Sequence, residues 1–179
     1  MTLVPGPSDD AEIITVRWLE MTERGQFRPA RREPGVQPVM LTAGRPSAEL
    51  SRFCYATVGA PWFWVDRDDW TLGQWSDWVS QPGHVLTTCW ADGVLAGYFE
   101  LDQAGSDVQL DFFGLTTDFI GIGLGGWLLT NAVTAAWERP GAARVWLRTC
   151  TLDGPMALAN YQARGFTVYR QTTEWRRRP

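Results

Sequence analysis

The spacing of hydrophobic residues differs between parts of the chain: it is typical of helices in some segments and of strands in others. Over Ser47–Val58, apolar residues recur every three or four positions after a serine suited to cap a helix, which predicts an amphipathic helix. From residue 84 onward, short β-rich runs are joined by links that contain glycine, which predicts antiparallel hairpins. In chain order, the pattern predicts a strand at Ile13–Trp18, a polar loop at Glu23–Gln37, a short extended piece at Val39–Thr42, helices at Ser47–Val58 and Thr71–Ser80, strands at His84–Trp90, Val94–Asp102 and Val108–Leu115, a helix at Gly125–Trp137, a strand at Arg144–Cys150, a helix at Pro155–Ala163 and a strand at Phe166–Trp175.

The length and composition indicate one globular domain over residues 1–179, with residues 1–11 as a flexible tail. The chain has 179 residues, of which 45% are hydrophobic and 20% charged, the balance of an ordinary folded protein. No repeat, second core or linker interrupts the pattern. The formal net charge of −4 argues against a nucleic-acid partner, which requires a basic face. No apolar run approaches the ~20 residues that span a bilayer, and the first ten residues do not form a secretory signal. We therefore expect no membrane association and a cytoplasmic location.

The counts of lysine, cysteine and histidine exclude several chemistries. All 16 basic residues are arginine, so Schiff-base, pyridoxal-phosphate and P-loop lysine mechanisms are excluded. Cys54, Cys89 and Cys150 are widely spaced and His84 is the single histidine, so the chain has no zinc-site spacing and we predict no metal. We interpret the cysteines as reduced thiols and His84 as a residue at a loop edge.

A glycine-rich segment, Phe119–Leu129, lies between a predicted strand and a predicted helix and holds four glycines in six positions. Glycine lets the backbone approach a ligand closely, and the first amides of a helix have no intrahelical partner. Together they predict an anion site suited to a pyrophosphate. The segment also satisfies the dinucleotide pattern G-x-G-x-x-G. However, it follows an antiparallel meander, and too little chain remains after it for a doubly wound sheet.

The chain resembles the GNAT superfamily of N-acetyltransferases in two motifs. Ile120–Gly125 matches both glycines of the phosphate-binding motif Q/R-x-x-G-x-G/A, with Ile120 in place of the Gln or Arg. Asn160–Phe166 matches the aromatic-Tyr turn that ends in Gly-Phe on a later helix. The motifs stand in the family's order, and the resemblance covers about residues 12–175. It implies an α/β (α+β) fold with a central mixed, mostly antiparallel sheet and helices on both faces.

The resemblance also implies acetyl-CoA as the acyl donor. In the family, two central strands splay apart and pantetheine bonds to the strand before the glycine loop, here Phe113, Gly114 and Leu115. The pyrophosphate would take backbone amides from the loop residues, which are Gly121, Ile122, Gly123, Leu124, Gly125 and Gly126. Because backbone amides supply these contacts, we expect the loss of the Gln or Arg to weaken binding rather than abolish it.

Tyr161 matches the family's general acid, which protonates the departing thiolate. Many members carry an asparagine seven residues earlier that contacts the cofactor. Here that position is Gly154, so the contact is either missing or replaced by Asp153.

The general base has two candidates, Glu100 and Asp111, and water is a third option. Gln109 stands where some protein-acetylating relatives carry a glutamate, and an amide cannot act as a base. Strict strand alternation places Gln109, Asp111 and Phe113 on one face, and Leu110 and Phe112 on the other.

The segment Pro61–Trp70 is the predicted acceptor region. Trp62 and Trp64 offer faces that attract a cation, three aspartates add negative charge, and Arg67 is suited to pair with a substrate carboxylate. The competing interpretation is that the tryptophans pack in the core above a solvated acidic turn.

These features favour an enzyme that transfers acetyl from acetyl-CoA to a primary amine, on a small molecule, by direct attack with Tyr161 as general acid. Two alternatives stay open: a non-catalytic acyl-CoA-binding protein of the same fold, and acetylation of a protein or peptide amine. The assembly also stays open, with a homodimer as one option.

Overall fold

Seven strands and four α-helices make up most of residues 11–177, which are the residues that this computed structural model describes. The strands are β1 (Ala11–Met21), β2 (Val39–Thr42), β3 (Val85–Ala91), β4 (Val94–Ala104), β5 (Asp107–Leu115), β6 (Arg144–Cys150) and β7 (Thr167–Arg177). The helices are α1 (Ala48–Gly59), α2 (Leu72–Val79), α3 (Leu124–Trp137) and α4 (Ala157–Ala163). Every predicted element is present. The predicted tail lies outside the described residues, except that residue 11 begins β1.

The strands form one mixed sheet in the order β2-β3-β4-β5-β6-β1-β7. All neighbouring pairs are antiparallel except β5 and β6, which run parallel. The predicted three-stranded meander is β3-β4-β5, and the predicted mixed, mostly antiparallel sheet is confirmed. None of the helices within residues 11–177 has the length and apolar character needed to cross a membrane.

Local capping explains where the helices begin. The Ser47 hydroxyl accepts a hydrogen bond from the backbone N–H of Leu50, and Thr71 forms a capping box with Gln74. At α3 the N-cap is Gly123, whose φ of 90° lies in the left-handed region that favours glycine. The start of α3 therefore depends on backbone conformation rather than on a side-chain cap.

The helices pack on opposite faces of the sheet. On one face, α3 contributes Leu128, Leu129 and Val133 to the largest apolar cluster, together with residues of the central strands. On the other face, α1 and α2 pack through Tyr55 and Trp75. This second layer contacts β4 and β5.

A β-bulge interrupts the pairing of β4 with β5. Glu100 pairs with Phe112, and the next pair is Leu101 with Leu110, so Asp111 is an extra residue without an opposite partner. A bulge shifts the side-chain alternation by one position, and it re-aims the side chains that follow it.

The predicted strict alternation along β5 is therefore wrong. Arg67 bonds to Asp111 and lies over the ring of Phe112, so these two consecutive residues share the α1 face of the sheet. Phe113 and Leu110 instead belong to the large cluster on the α3 face.

A gap opens in the sheet between β5 and β6. The two strands pair from Asp107 with Arg144 to Leu110 with Leu147, and the pairing ends there. Beyond this point β5 stays paired with β4, while β6 stays paired with β1. The gap is the space around which the candidate site is built.

Candidate active site

A cavity of about 1060 Å³ occupies the gap between β5 and β6. Its walls come from the end of β5, the end of β6, the glycine-rich loop, α4 and the segment between α1 and α2. The volume is that of a site for a large cofactor or a pair of ligands.

The glycine-rich loop forms one end of the cavity. The glycines at 121, 123, 125 and 126 line it, whereas the side chains of Ile122 and Leu124 pack against or within the large apolar cluster. The first amides of α3 have no intrahelical partners, and the helix dipole is positive at this end. This end of the cavity is therefore suited to bind an anion, and the anion site stays a prediction.

Two arginines that sequence analysis did not single out, Arg32 and Arg164, lie beside the glycines at this end, and Arg31 also lines the cavity. Arg32 Nε lies 3.1 Å from the position that a Cβ on Gly123 would occupy. The polar segment that carries Arg32 is fixed here, because the Gly35 N–H donates to the Ile122 carbonyl at 3.0 Å. These side chains supply the cationic charge that Ile120 does not. In the sequence, the signal for this positive charge was the pair of consecutive arginines at positions 31 and 32 in the predicted loop.

The wall predicted to bind pantetheine is present, since Phe113, Gly114 and Leu115 all line the cavity. Gly114 also has a packing role. A Cβ at this position would stand 2.5 Å from Val58 Cγ1 of α1, so the glycine allows the helix to lie close to the strand.

Tyr161 lies on α4 and lines the cavity, with 6% of its surface exposed. Its ring contacts Phe113 edge to face at 6.0 Å and Phe166 at 6.2 Å. Burial, and secondly the charge of Asp153, raises the pKa of Tyr161 above its ordinary value. The phenol therefore keeps its proton until a stronger base appears beside it, which suits a proton donor.

Asp153 and Gly154 lie in the turn between β6 and α4, and both line the cavity. The Asp153 carboxylate accepts hydrogen bonds from the Thr149 hydroxyl and from the Cys150 N–H. A Cβ on Gly154 would lie 3.4 Å from the ring of Trp62, so this tryptophan closes over the turn.

Glu100 is fully buried on β4 and is not among the residues that line the cavity. Its carboxylate bonds to Ser51 Oγ at 2.6 Å, Trp78 Nε1 at 2.8 Å and His84 Nε2 at 2.8 Å. His84 lies at a loop edge, directly before β3, but its side chain is only 4% exposed and turns inward to Glu100. This position does not suit the catalytic role predicted for Glu100, because a general base must reach the amine in the cavity.

Asp111 lies at the bulge and lines the cavity. Arg67 Nη2 donates to Oδ2 at 3.1 Å, and Gln109 Nε2 donates to Oδ1 at 2.6 Å. Burial raises the pKa of Asp111 to about 6, and the opposing charge of Arg67 limits the rise. A carboxylate with this pKa is ionised at neutral pH and accepts a proton more readily than an ordinary aspartate.

Arg67 is held by aromatic rings. Its guanidinium carbon lies 4.2 Å from the ring centres of Trp70 and Trp78 and 4.5 Å from that of Phe112. Its Nη1 is buried and has no hydrogen-bond partner among the described residues. The cation held by aromatic faces is thus the protein's own arginine.

Trp62 and Trp64 both line the cavity, as the acceptor prediction requires, but they are placed differently. Trp64 packs against Tyr55 at 5.6 Å and Phe112 at 5.5 Å, within the clusters beneath α1. Most of the Trp64 ring therefore serves packing, whereas Trp62 covers the turn at Gly154.

The family model described as "Acetyltransferase (GNAT) family" matches residues 48–166. The chain belongs to the GNAT family. Among solved structures, it is similar to a GCN5-related N-acetyltransferase from Kribbella flavida (20% identity, TM-score 0.62) and to one from Sphaerobacter thermophilus (17% identity, TM-score 0.66). Each comparison covers 93% of this chain, which spans 59% and 53% of the lengths of those two structures.

A third similar structure is an aminoglycoside acetyltransferase from an uncultured soil metagenomic sample, in complex with trehalose, with 11% identity and a TM-score of 0.58. That comparison covers 70% of this chain and 86% of the other. At these identities the structures establish the fold alone. No curated protein sequence matches the chain.

In this GNAT protein, one cavity brings together nearly all the side chains and glycines predicted for the site. Asp111 and Tyr161 lie in its walls, between the glycine-rich loop and the predicted acceptor residues. Among the predicted catalytic residues, Glu100 is the exception.

Proposed function

We propose that the protein transfers the acetyl group of acetyl-CoA to a primary amine on a small molecule. The observation that carries the proposal is the set of groups that line the cavity between β5 and β6. It combines an arginine-lined helix start, the free edge of β5, a buried tyrosine and a carboxylate whose pKa is about 6. This combination suits a thioester donor and an amine acceptor.

In the proposed reaction, Asp111 takes the proton of the ammonium group and passes it to solvent. The neutral amine then attacks the thioester carbonyl, so a C–N bond forms and the C–S bond breaks. Tyr161 donates its proton to the leaving thiolate, and the proton that the new amide nitrogen sheds restores the phenol. Arg67 and Gln109 hold Asp111 in place through its two carboxylate oxygens.

The segment between α1 and α2 favours a small acceptor over a protein chain. It crosses the gap in the sheet, because Trp62 covers Gly154 and Asp66 bonds to Arg148 on β6. A folded protein or a broad peptide surface meets this segment before it reaches Asp111.

The test is thiol release from acetyl-CoA in the presence of a panel of small amines. We expect Tyr161→Phe to lower the rate by about 10²-fold while acetyl-CoA affinity stays near that of the wild type. Tyr169→Phe is the matched control, because Tyr169 is 44% exposed and does not line the cavity. Binding of acetyl-CoA without thiol release for any amine would instead favour an acyl-CoA-binding protein.

A further inference from the structure

Two guanidinium groups converge on one carboxylate at the acceptor end of the cavity. Arg176 of β7 meets both oxygens of Asp66, with Nη1–Oδ1 at 3.1 Å and Nη2–Oδ2 at 3.4 Å. Arg148 of β6 reaches the same Oδ2 at 3.4 Å. All three side chains line the cavity.

The carboxylate of Asp66 is shared by two guanidinium groups. The fork of Arg176 meets it through both terminal nitrogens, so it is already arranged to bind a carboxylate with two parallel bonds. The arginines project from strands, whereas Asp66 lies on an irregular segment and is 51% exposed. The Arg176 side chain is 19% exposed and that of Arg148 is 47% exposed, so Arg176 is the more buried anchor of the site, and the more exposed Asp66 is the part that a ligand is able to displace.

The strand register places this group next to the proposed base. Leu110 of β5 and Leu147 of β6 are the last paired residues, so Asp111 and Arg148 are the next residues on the two strands, across the opening gap. The charge of Arg148 also acts on Asp111, where it opposes the rise of the pKa. An anion bound by Arg148 would therefore lie at the same end of the gap as an amine held at Asp111.

We propose that the acceptor carries a carboxylate as well as its amine, and that Arg148 and Arg176 bind this carboxylate in place of Asp66. The proposal rests on the proposed function and names its substrate class, amino acids and related amino carboxylates. Asp66 is a substitute for the ligand's carboxylate when no acceptor is bound.

The test compares matched acceptors that differ only in the carboxylate. A series of ω-amino acids is assayed against the corresponding ω-amino carboxamides, with acetyl-CoA as donor. We expect the carboxylates to have at least tenfold higher kcat/KM, through a lower KM. Arg176→Gln and Arg148→Gln should each remove most of this preference, while Arg17→Gln should keep it, because Arg17 does not line the cavity and bonds to Gln171.

The variant Asp66→Asn distinguishes a displaceable carboxylate site from a purely structural bridge, because only the first predicts tighter binding of amino acids. If Asp66 occupies the carboxylate site, its neutralisation should lower the KM for the amino acids and tighten their binding in calorimetry at least threefold. If the group is only a structural bridge, the same variant should weaken binding or leave it unchanged, which overturns the inference.

Equal kcat/KM for amino acids and amides in the wild type would also overturn it while leaving the proposed function intact. Absence of thiol release with every amine would contradict the proposed function, and calorimetry with the same amino acids would still decide the carboxylate site.

Discussion

Glu100 and Asp111 lie on neighbouring strands and on the same face of the sheet, yet their surroundings differ. Both are linked to Trp78, whose indole N–H bonds to Glu100 and whose ring lies against Arg67, the partner of Asp111. Glu100 is sealed from the cavity and surrounded by three side-chain partners. Asp111 has two side-chain donors and faces the cavity. The comparison shows that burial alone does not make a carboxylate reactive. Its access to the cavity and the number of its hydrogen-bond partners matter as well.

The largest expected effect is the loss of stability in Glu100→Ala. Removal of the carboxylate leaves Ser51, Trp78 and His84 without their buried partner, and breaking such a group costs about 4 kcal/mol. Urea unfolding should show a lower midpoint with an unchanged slope. A loss below about 1 kcal/mol would contradict the structural role of Glu100.

Asp111→Asn should lower the kcat/KM for amines by about 10²-fold, which corresponds to about 2.7 kcal/mol. The base acts in its ionised form, so the wild-type kcat/KM should fall as the pH drops below about 6, and this acid limb should be absent from the variant. Glu100→Gln is the control and should keep the limb, provided that circular dichroism shows a folded protein. If Glu100→Gln abolishes the acid limb and Asp111→Asn keeps it, then Glu100 rather than Asp111 acts as the general base.

Asp111 should also link stability to pH. Its pKa is raised from 3.8 to about 6 in the folded protein, so the folded state binds more protons than the unfolded state between these values. The contribution of protonated Asp111 to the free energy of unfolding is fully present below about pH 4 and is lost as the pH rises through about 6. Relative to Asp111→Asn, the wild type should gain about 2 kcal/mol of unfolding free energy between about pH 7.5 and about pH 4.5. A constant difference over this range would show that the pKa of Asp111 is not raised.

Trp78→Phe should give the smallest effect. It removes the indole N–H that bonds to Glu100 but keeps an aromatic ring beside Arg67, so we expect a loss of about 1.5 kcal/mol. The midpoint of the acid limb in the pH profile of kcat/KM should stay near pH 6. A displaced limb would show that the environments of the two carboxylates are coupled through this residue.

The sequence was sufficient for the architecture, because each element carries its own local signal. Ser47 caps α1, the Thr71 capping box begins α2, and links containing glycine join the strands of the meander. The glycine loop and Tyr161 were predictable for a related reason, since each lies in a short motif of fixed spacing.

The surroundings of the two carboxylates were not predictable in the same way. The bulge at Asp111 is a property of two strands in register, and the residues of β5 alone do not reveal it. The partners of Glu100 come from positions 51, 78 and 84, brought together only by packing. Arg31 and Arg32 were missed because the polar segment that carries them is far from the glycine loop in sequence but folds onto it.

The gap between β5 and β6 has a consequence for solubility. Past Leu110, the side of β5 that faces the gap has no strand partner among the described residues, so the protein carries a free sheet edge in its interior. A free edge is a template for pairing with another chain, and proteins usually cover or interrupt it. Here the segment that carries Trp62 and Asp66 lies across the gap, where Trp62 covers Gly154 and Asp66 bonds to Arg148 and Arg176. A ligand that occupies the gap should therefore protect the protein from aggregation as well as stabilise its fold.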